Sequence, residues 1–213
     1  MINLIENSIK NITKTYQQNE LAFLAMQGKI ELQLRDKMAW YIEQKNANYG
    51  YVRREYNPYG RKKCDIAILD QNYNPKCLIE FKAHSLARYE KEFLDACKKD
   101  ISKMKGISQK LQKFPQKFYI FFQTEHTGNN IVDNEQGKNG MITYYKNIPI
   151  GVEKAKKYKS VQKFIYNQWD NDYSQFGTIN KTEIDAGEYY GIGVKIHVMI
   201  LEIDENSPGY LSL

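Results

Sequence analysis

Hydrophobic and polar positions change period several times along this chain, and each change marks an element. From about residue 19 to residue 46 the period is helical, with Leu24, Leu34, Met38 and Ile42 on one stripe. Gly28 lies inside that stretch and argues against one unbroken helix. Residues 50–56 read as a first strand, and Asn57, Pro58, Tyr59 and Gly60 as a turn. Residues 64–70 and about 77–83 are two further apolar runs, joined by a turn over Asn72 to Pro75. A second helical period covers 86–107, carried by Tyr89, Phe93, Ala96 or Cys97, Ile101 and Met104. The strongly apolar run 117–125 predicts a buried strand. Residues 126–140 are rich in Gly and Asn and predict an exposed loop. A basic helix is expected over 153–169, polar irregular chain over 171–191, and a last strand over 194–204.

This order (helix, three strands, helix, strand, then a helix and a strand) predicts an α/β chain of the α+β kind. A mixed sheet carries helices packed on it. The strand-helix-strand step predicts a right-handed crossover and a parallel pair. With 213 residues, 42% of them hydrophobic, the chain can bury one sizeable core. We therefore expect one domain over 1–213, with a core at about 19–125 and a C-terminal extension at about 126–213.

Charge sits where alternation predicts buried strands. In the third strand Ile79, Phe81 and Ala83 share one face, and Glu80 and Lys82 share the other. In the second, Asp65, Ala67 and Leu69 share a face. A hairpin register that sets Asp65 beside Glu80 brings two carboxylates together. Their repulsion raises one pKa unless a cation lies between them. Mg²⁺ accepts one or two carboxylates and fills its remaining positions with water and phosphate oxygens. A nearby lysine can orient the attacking water or stabilise charge developing on phosphorus. The same residues also read as a cross-strand salt bridge on a solvated face.

Composition narrows the choice only a little. The net charge of +6 favours an anionic partner without identifying it. Three cysteines without a Cys-x-x-Cys pair, and three histidines, argue against a zinc site. The odd cysteine count and the N-terminal twenty residues, which lack a signal-like apolar core, predict a reducing cytoplasm. No apolar run approaches the length of a membrane span.

The set Asp65, then Glu80-Phe81-Lys82 after fourteen intervening residues, resembles the D-(x)n-(D/E)-x-K motif of the PD-(D/E)XK nuclease superfamily. That restriction-endonuclease-like superfamily includes type II restriction enzymes, junction resolvases and phage-defence nucleases. Its core order is helix, three strands, helix, strand, the order read here over roughly 19–125. The resemblance implies a Mg²⁺-dependent endonuclease cutting DNA, with Mn²⁺ as a substitute metal. A type II restriction enzyme acting as a homodimer on double-stranded DNA is the first expectation. A structure-specific repair or recombination nuclease, or a non-catalytic nucleic-acid-binding relative, is the alternative. Residue by residue it implies Asp65 and Glu80 as metal ligands and Lys82 as the residue that positions or activates water. A further metal-site acid from the first helix is Glu20, Glu31 or Glu43, and Glu31, which lies within the apolar stripe, is the one expected as the third metal ligand. Cys64 stands where the superfamily's name has proline.

Phosphate tracking requires clustered cations. Arg53, Arg54, Arg61, Lys62 and Lys63 flank the first turn, and Arg88 opens the second helix. These are the candidate nucleic-acid contacts. Lysines at 154, 156, 157, 159 and 163 form a basic run that also reads as a solvated helix face.

Overall fold

A computed structural model of the chain describes residues 1–45, 50–58, 60, 63–88, 91–128 and 134–213. It is a mixed α and β structure built around one six-stranded sheet. Helices α1 (Ile2–Ile12), α2 (Glu20–Gln27) and α3 (Glu31–Lys45) precede strands β1 (Tyr51–Tyr56), β2 (Cys64–Leu69) and β3 (Pro75–Ser85). Helix α4 (Lys91–Leu111) then leads to β4 (Gln116–Thr127). The short α5 (Glu135–Lys138) is followed by α6 (Asn147–Ala155) and α7 (Val161–Tyr173). Strands β5 (Gly177–Tyr189) and β6 (Ile192–Ile203) and the short α8 (Pro208–Leu211) complete the chain.

The strand order is β1-β2-β3-β4-β6-β5. Only β3 and β4 run parallel, joined through α4; every other neighbouring pair is antiparallel. Period-two alternation gives each central strand two buried faces. Ile66, Ile79, Phe81, Phe118 and Ile120 pack beneath α1, α2, α3 and α6. Ala67, Leu78, Tyr119, Phe121 and Met199 pack beneath α4 and α7, meeting Cys97, Ile101, Met104 and Trp169. The strands with both faces covered read as near-continuous apolar runs for this reason.

Three elements differ from the periodicity reading. The helix expected over 19–46 is two helices, because Gly28 ends α2 and donates its N–H to Leu24 O. Glu31 therefore opens α3 instead of lying inside a long stripe. The basic helix expected over 153–169 is likewise divided, with α6 ending at Ala155 and Ser160 capping α7 through Lys163 N–H. The largest miss is β5, placed in the segment expected to be irregular. It is an edge strand, so Asn180, Thr182 and Glu183 lie on or near the surface and leave no alternating signal. The N-terminal helix α1 carried a readable signal, since Ile5, Ile9 and Ile12 fall on one stripe and are buried.

Candidate active site at the open edge of β3

The β2–β3 ladder runs through Ile68↔Cys77 and Ala67↔Leu78 and ends at Ile66↔Ile79. The ladder goes no further: Asp65 turns its carboxylate to the Phe81 N–H and to Arg35 on the α3 side, whereas Glu80 faces α4, and the two acids are near enough that the charge on Asp65 raises the Glu80 carboxyl. Beyond that point β3 continues to Ser85 with β4 on one side. No described strand pairs with its other side. The backbone groups on this bare edge are satisfied by side chains. Cys64 Sγ contacts Ile79 O at 3.3 Å. Phe81 N–H donates to Asp65 Oδ2 at 2.8 Å. Ala83 N–H donates to Glu31 Oε2 at 3.0 Å. Losing such an acceptor from a buried amide costs about 1–3 kcal/mol, so the edge fixes both carboxylates.

Helix α3 supplies two groups one turn apart, Glu31 and Arg35, which lie on the same helix face. Burial pushes the Glu31 carboxyl up, Lys82 and the Ala83 N–H draw it back, and the charge on Asp65 raises it again. Arg35, 7% exposed, holds three acids together. Its Nη1 lies 2.5 Å from Glu55 Oε1 and 3.5 Å from Asp65 Oδ1, and its Nε lies 3.0 Å from Asp36 Oδ1.

Glu80 faces the opposite helical layer and is 2% exposed. Burial pushes its carboxyl up to about 8, with a further push from Asp65 and an opposing pull from Lys103. Lys103, on α4, places Nζ 2.7 Å from Glu80 Oε1 and 3.5 Å from Asp100 Oδ1. The contact is an ion pair by distance, yet Oε1 has no aligned hydrogen bond. Lys82 shares the Glu80 face, is half-buried, and lies close enough to Glu31 for its charge to be felt there.

The structure thus brings Asp65, Glu80, Lys82 and Glu31 to one end of β3. It does not gather the three acids into one cluster: among the described residues no group of three or more His, Cys, Asp or Glu side chains is placed to hold a metal. Glu31 is committed to Ala83 N–H instead. The pair Asp65 and Glu80 still suits Mg²⁺, which needs only one or two carboxylates. Glu80 Oε1 already faces the Lys103 ammonium at 2.7 Å, so a metal ion held there would share or displace that contact. The other first-helix acids serve locally: Glu20 accepts from Gln17 N–H at 2.9 Å and Glu43 from Val52 N–H at 2.7 Å.

Sequence reading missed Arg35 and Lys103. Helical spacing from Glu31 could have found Arg35. Lys103 lies next to the buried Met104 on α4, and its place at Glu80 depends on how α4 docks, which periodicity does not encode.

Of the candidate nucleic-acid contacts, Arg53 is exposed on β1. Arg54 is exposed but bound to Asp36 Oδ2 at 2.6 Å. Lys63 is exposed and 3.8 Å from Glu55. Arg61 and Lys62 lie outside the described residues, as does the Arg88 side chain, whose backbone ends the short turn Leu86–Arg88. Among the described residues no helix is long and apolar enough to cross a membrane. Comparison with family models, with curated proteins and with solved structures finds no match for the chain.

Proposed function

We propose that the protein is a metal-dependent endonuclease that hydrolyses phosphodiester bonds in DNA. The observation that supports this reading is the approach of two acids where the β2–β3 ladder ends. Asp65 is held by the Phe81 N–H at the edge where β3 loses its partner, its charge is felt at Glu80, and Lys82 follows two residues on. The element order α3, β1-β2-β3, α4, β4, with β3 and β4 parallel, agrees with the PD-(D/E)XK core that the motif resembles.

Asp65 and Glu80 would hold a Mg²⁺ ion, for which Mn²⁺ substitutes, and the ion would supply a Lewis acid to the scissile phosphate. The chain's own groups do the rest. Phe81 N–H and Arg35 hold the Asp65 carboxylate in place before substrate arrives. Lys82 stands beside the reacting phosphate, where its ammonium orients the attacking water and offsets the negative charge that develops on phosphorus. Glu31 lies within the field of Lys82 and steadies it. Arg53 and Lys63 extend a basic margin beside the site for the flanking backbone. Double-stranded DNA, a restriction or defence role in the cytoplasm, and a homodimer that cuts both strands belong to the same proposal.

A second reading is favoured by the two ion pairs. Lys103 with Glu80 and Arg35 with Asp65 neutralise the acids internally, as suits a nucleic-acid-binding module without hydrolysis. Plasmid DNA incubated with Mg²⁺ separates the two. Fragments from the wild type, absent with Asp65→Ala and Lys82→Ala, are the expected result. Salt-sensitive binding without cutting supports the module, and cutting that survives both substitutions removes these residues from the chemistry.

A further inference from the structure

A small cavity opens at the C-terminal ends of the parallel pair β3 and β4, on the face covered by α2, α3 and α6. Its polar lining includes Lys29, Ser85, Thr124, His126 and Asn147. Ala83, whose N–H is held by Glu31, lines it as well, so it adjoins the candidate active site. The C-terminal ends of neighbouring parallel strands are the usual place for ligands in open sheets. His126 is 5% exposed, yet its Nε2 is buried with no hydrogen-bond partner. A buried imidazole nitrogen left in that state costs about 1–3 kcal/mol, so the position selects for an occupant that satisfies it.

We propose that this cavity is a second phosphate subsite, taking a phosphate of the DNA strand next to the one being cut. The inference rests on the nuclease reading for its source of phosphate and not for its chemistry. The lining is rich in donors: the Lys29 ammonium, the hydroxyls of Ser85 and Thr124, the Asn147 amide and, in its Nε2–H tautomer, His126. Phosphate oxygens accept from all of these. The first turn of α3 begins beside Lys29, and a helix N-terminus carries positive potential. Burial holds His126 down to about 4, so it is neutral near pH 7 and donates without competing as a charge. The nearest acids are occupied elsewhere, Glu31 at Ala83 N–H and Glu125 with His197 at 2.7 Å. The cavity measures about 30 Å³, room for about two water-sized spheres. That accommodates two oxygens of a phosphate whose others face solvent.

The test uses the full chain. Inorganic phosphate is titrated against wild type while the ¹⁵N ring signals of His126 are followed. A saturable shift is expected, and Lys29→Ala, a surface change, weakens it about tenfold. Asp65→Ala leaves the phosphate response intact while abolishing cutting. Duplex DNA bound to Asp65→Ala shifts the same ring signals. In Mg²⁺-dependent cutting, Lys29→Ala raises KM about tenfold and leaves kcat within about twofold. Unmoved His126 signals overturn the subsite. So does a response to free phosphate but not to bound DNA. A wild type that binds phosphate at His126 yet cuts nothing removes the nuclease reading and leaves the anion site standing.

Discussion

The two halves of the sheet solve the same problem in opposite ways. On the β4–β6–β5 side, long strands pair almost end to end, with β4 and β6 in register from Phe118↔Glu202 to Thr127↔Gly193. Backbone groups there find backbone partners. On the β1–β2–β3 side, β2 stops at Cys64 while β3 continues to Ser85. The last rungs of that side are closed by the side chains of Asp65 and Glu31. The contrast extends to buried polar groups. In the paired half, Gln123 and His197 face each other across β4 and β6, fully buried beneath α7, and Glu125 pairs with His197. In the open half, buried charge meets cations from separate elements, Arg35 and Lys103. Ladder pairing provides rigidity; interrupting it leaves carboxylates fixed by backbone yet within reach of solvent, as a reactive site needs.

The comparison breaks most visibly if the paired half is not the stability reservoir. Phe121→Ala there should cost about 3–5 kcal/mol in denaturant unfolding. It should lower Tm without altering the Mg²⁺ requirement of the remaining folded protein. In the open half the main effect should fall on chemistry. Asp65→Asn keeps an acceptor for Phe81 N–H, so stability should stay within about 1 kcal/mol while cutting falls about 10²–10⁴-fold. A large loss of stability with retained cutting would reverse the assignment of the two halves.

Glu80 gives an effect of intermediate size. Its folded carboxyl is raised from 4.5 to about 8 by burial and by Asp65, against the pull of Lys103. Between those values the native state holds a proton that the unfolded state has released. The group's contribution to stability therefore falls as pH rises from about 4.5 to about 8 and is level above that. If Glu80 holds Mg²⁺ as proposed, the ion must displace that proton, and its affinity should climb as pH rises toward about 8, by at most about tenfold per pH unit, and level off above. Glu80→Gln should flatten the stability profile; calorimetry across pH 5–9 checks it, and a wild-type profile already flat would place Glu80 in water. The smallest change is Arg53→Ala, which should leave folding untouched and reduce the salt slope of DNA binding by about one.

The strands and the pair Glu80 and Lys82 were legible because alternation along a strand is local. The approach of Asp65 to Glu80 was legible only as a possibility, since it depends on where β2 ends; the ladder stops at Ile66↔Ile79 and Asp65 leaves it for the Phe81 N–H. Glu31 was picked for lying in an apolar stripe. It reaches Ala83 N–H, not a cluster with Asp65 and Glu80, because the Gly28 break brings the first turn of α3 to the edge of β3. Lys103 left no trace in the sequence, for its partner is 23 residues away on another layer. Strand β5 was hidden by its edge position, where polar residues on both faces erase the period-two signal.

The bare edge of β3 has a consequence beyond chemistry. Unpaired strand edges recruit strands from other molecules, and charge is a common guard against this. Here the guards are the two carboxylates that occupy Phe81 and Ala83 N–H. Acid protonates Glu31 above the ordinary carboxylate range, since burial pushes its carboxyl up. As Glu31 loses its charge its hold on the Ala83 N–H weakens, and that amide becomes open to an extended chain. Mild acidification should therefore turn this edge of β3 into the place where copies of the protein begin to aggregate.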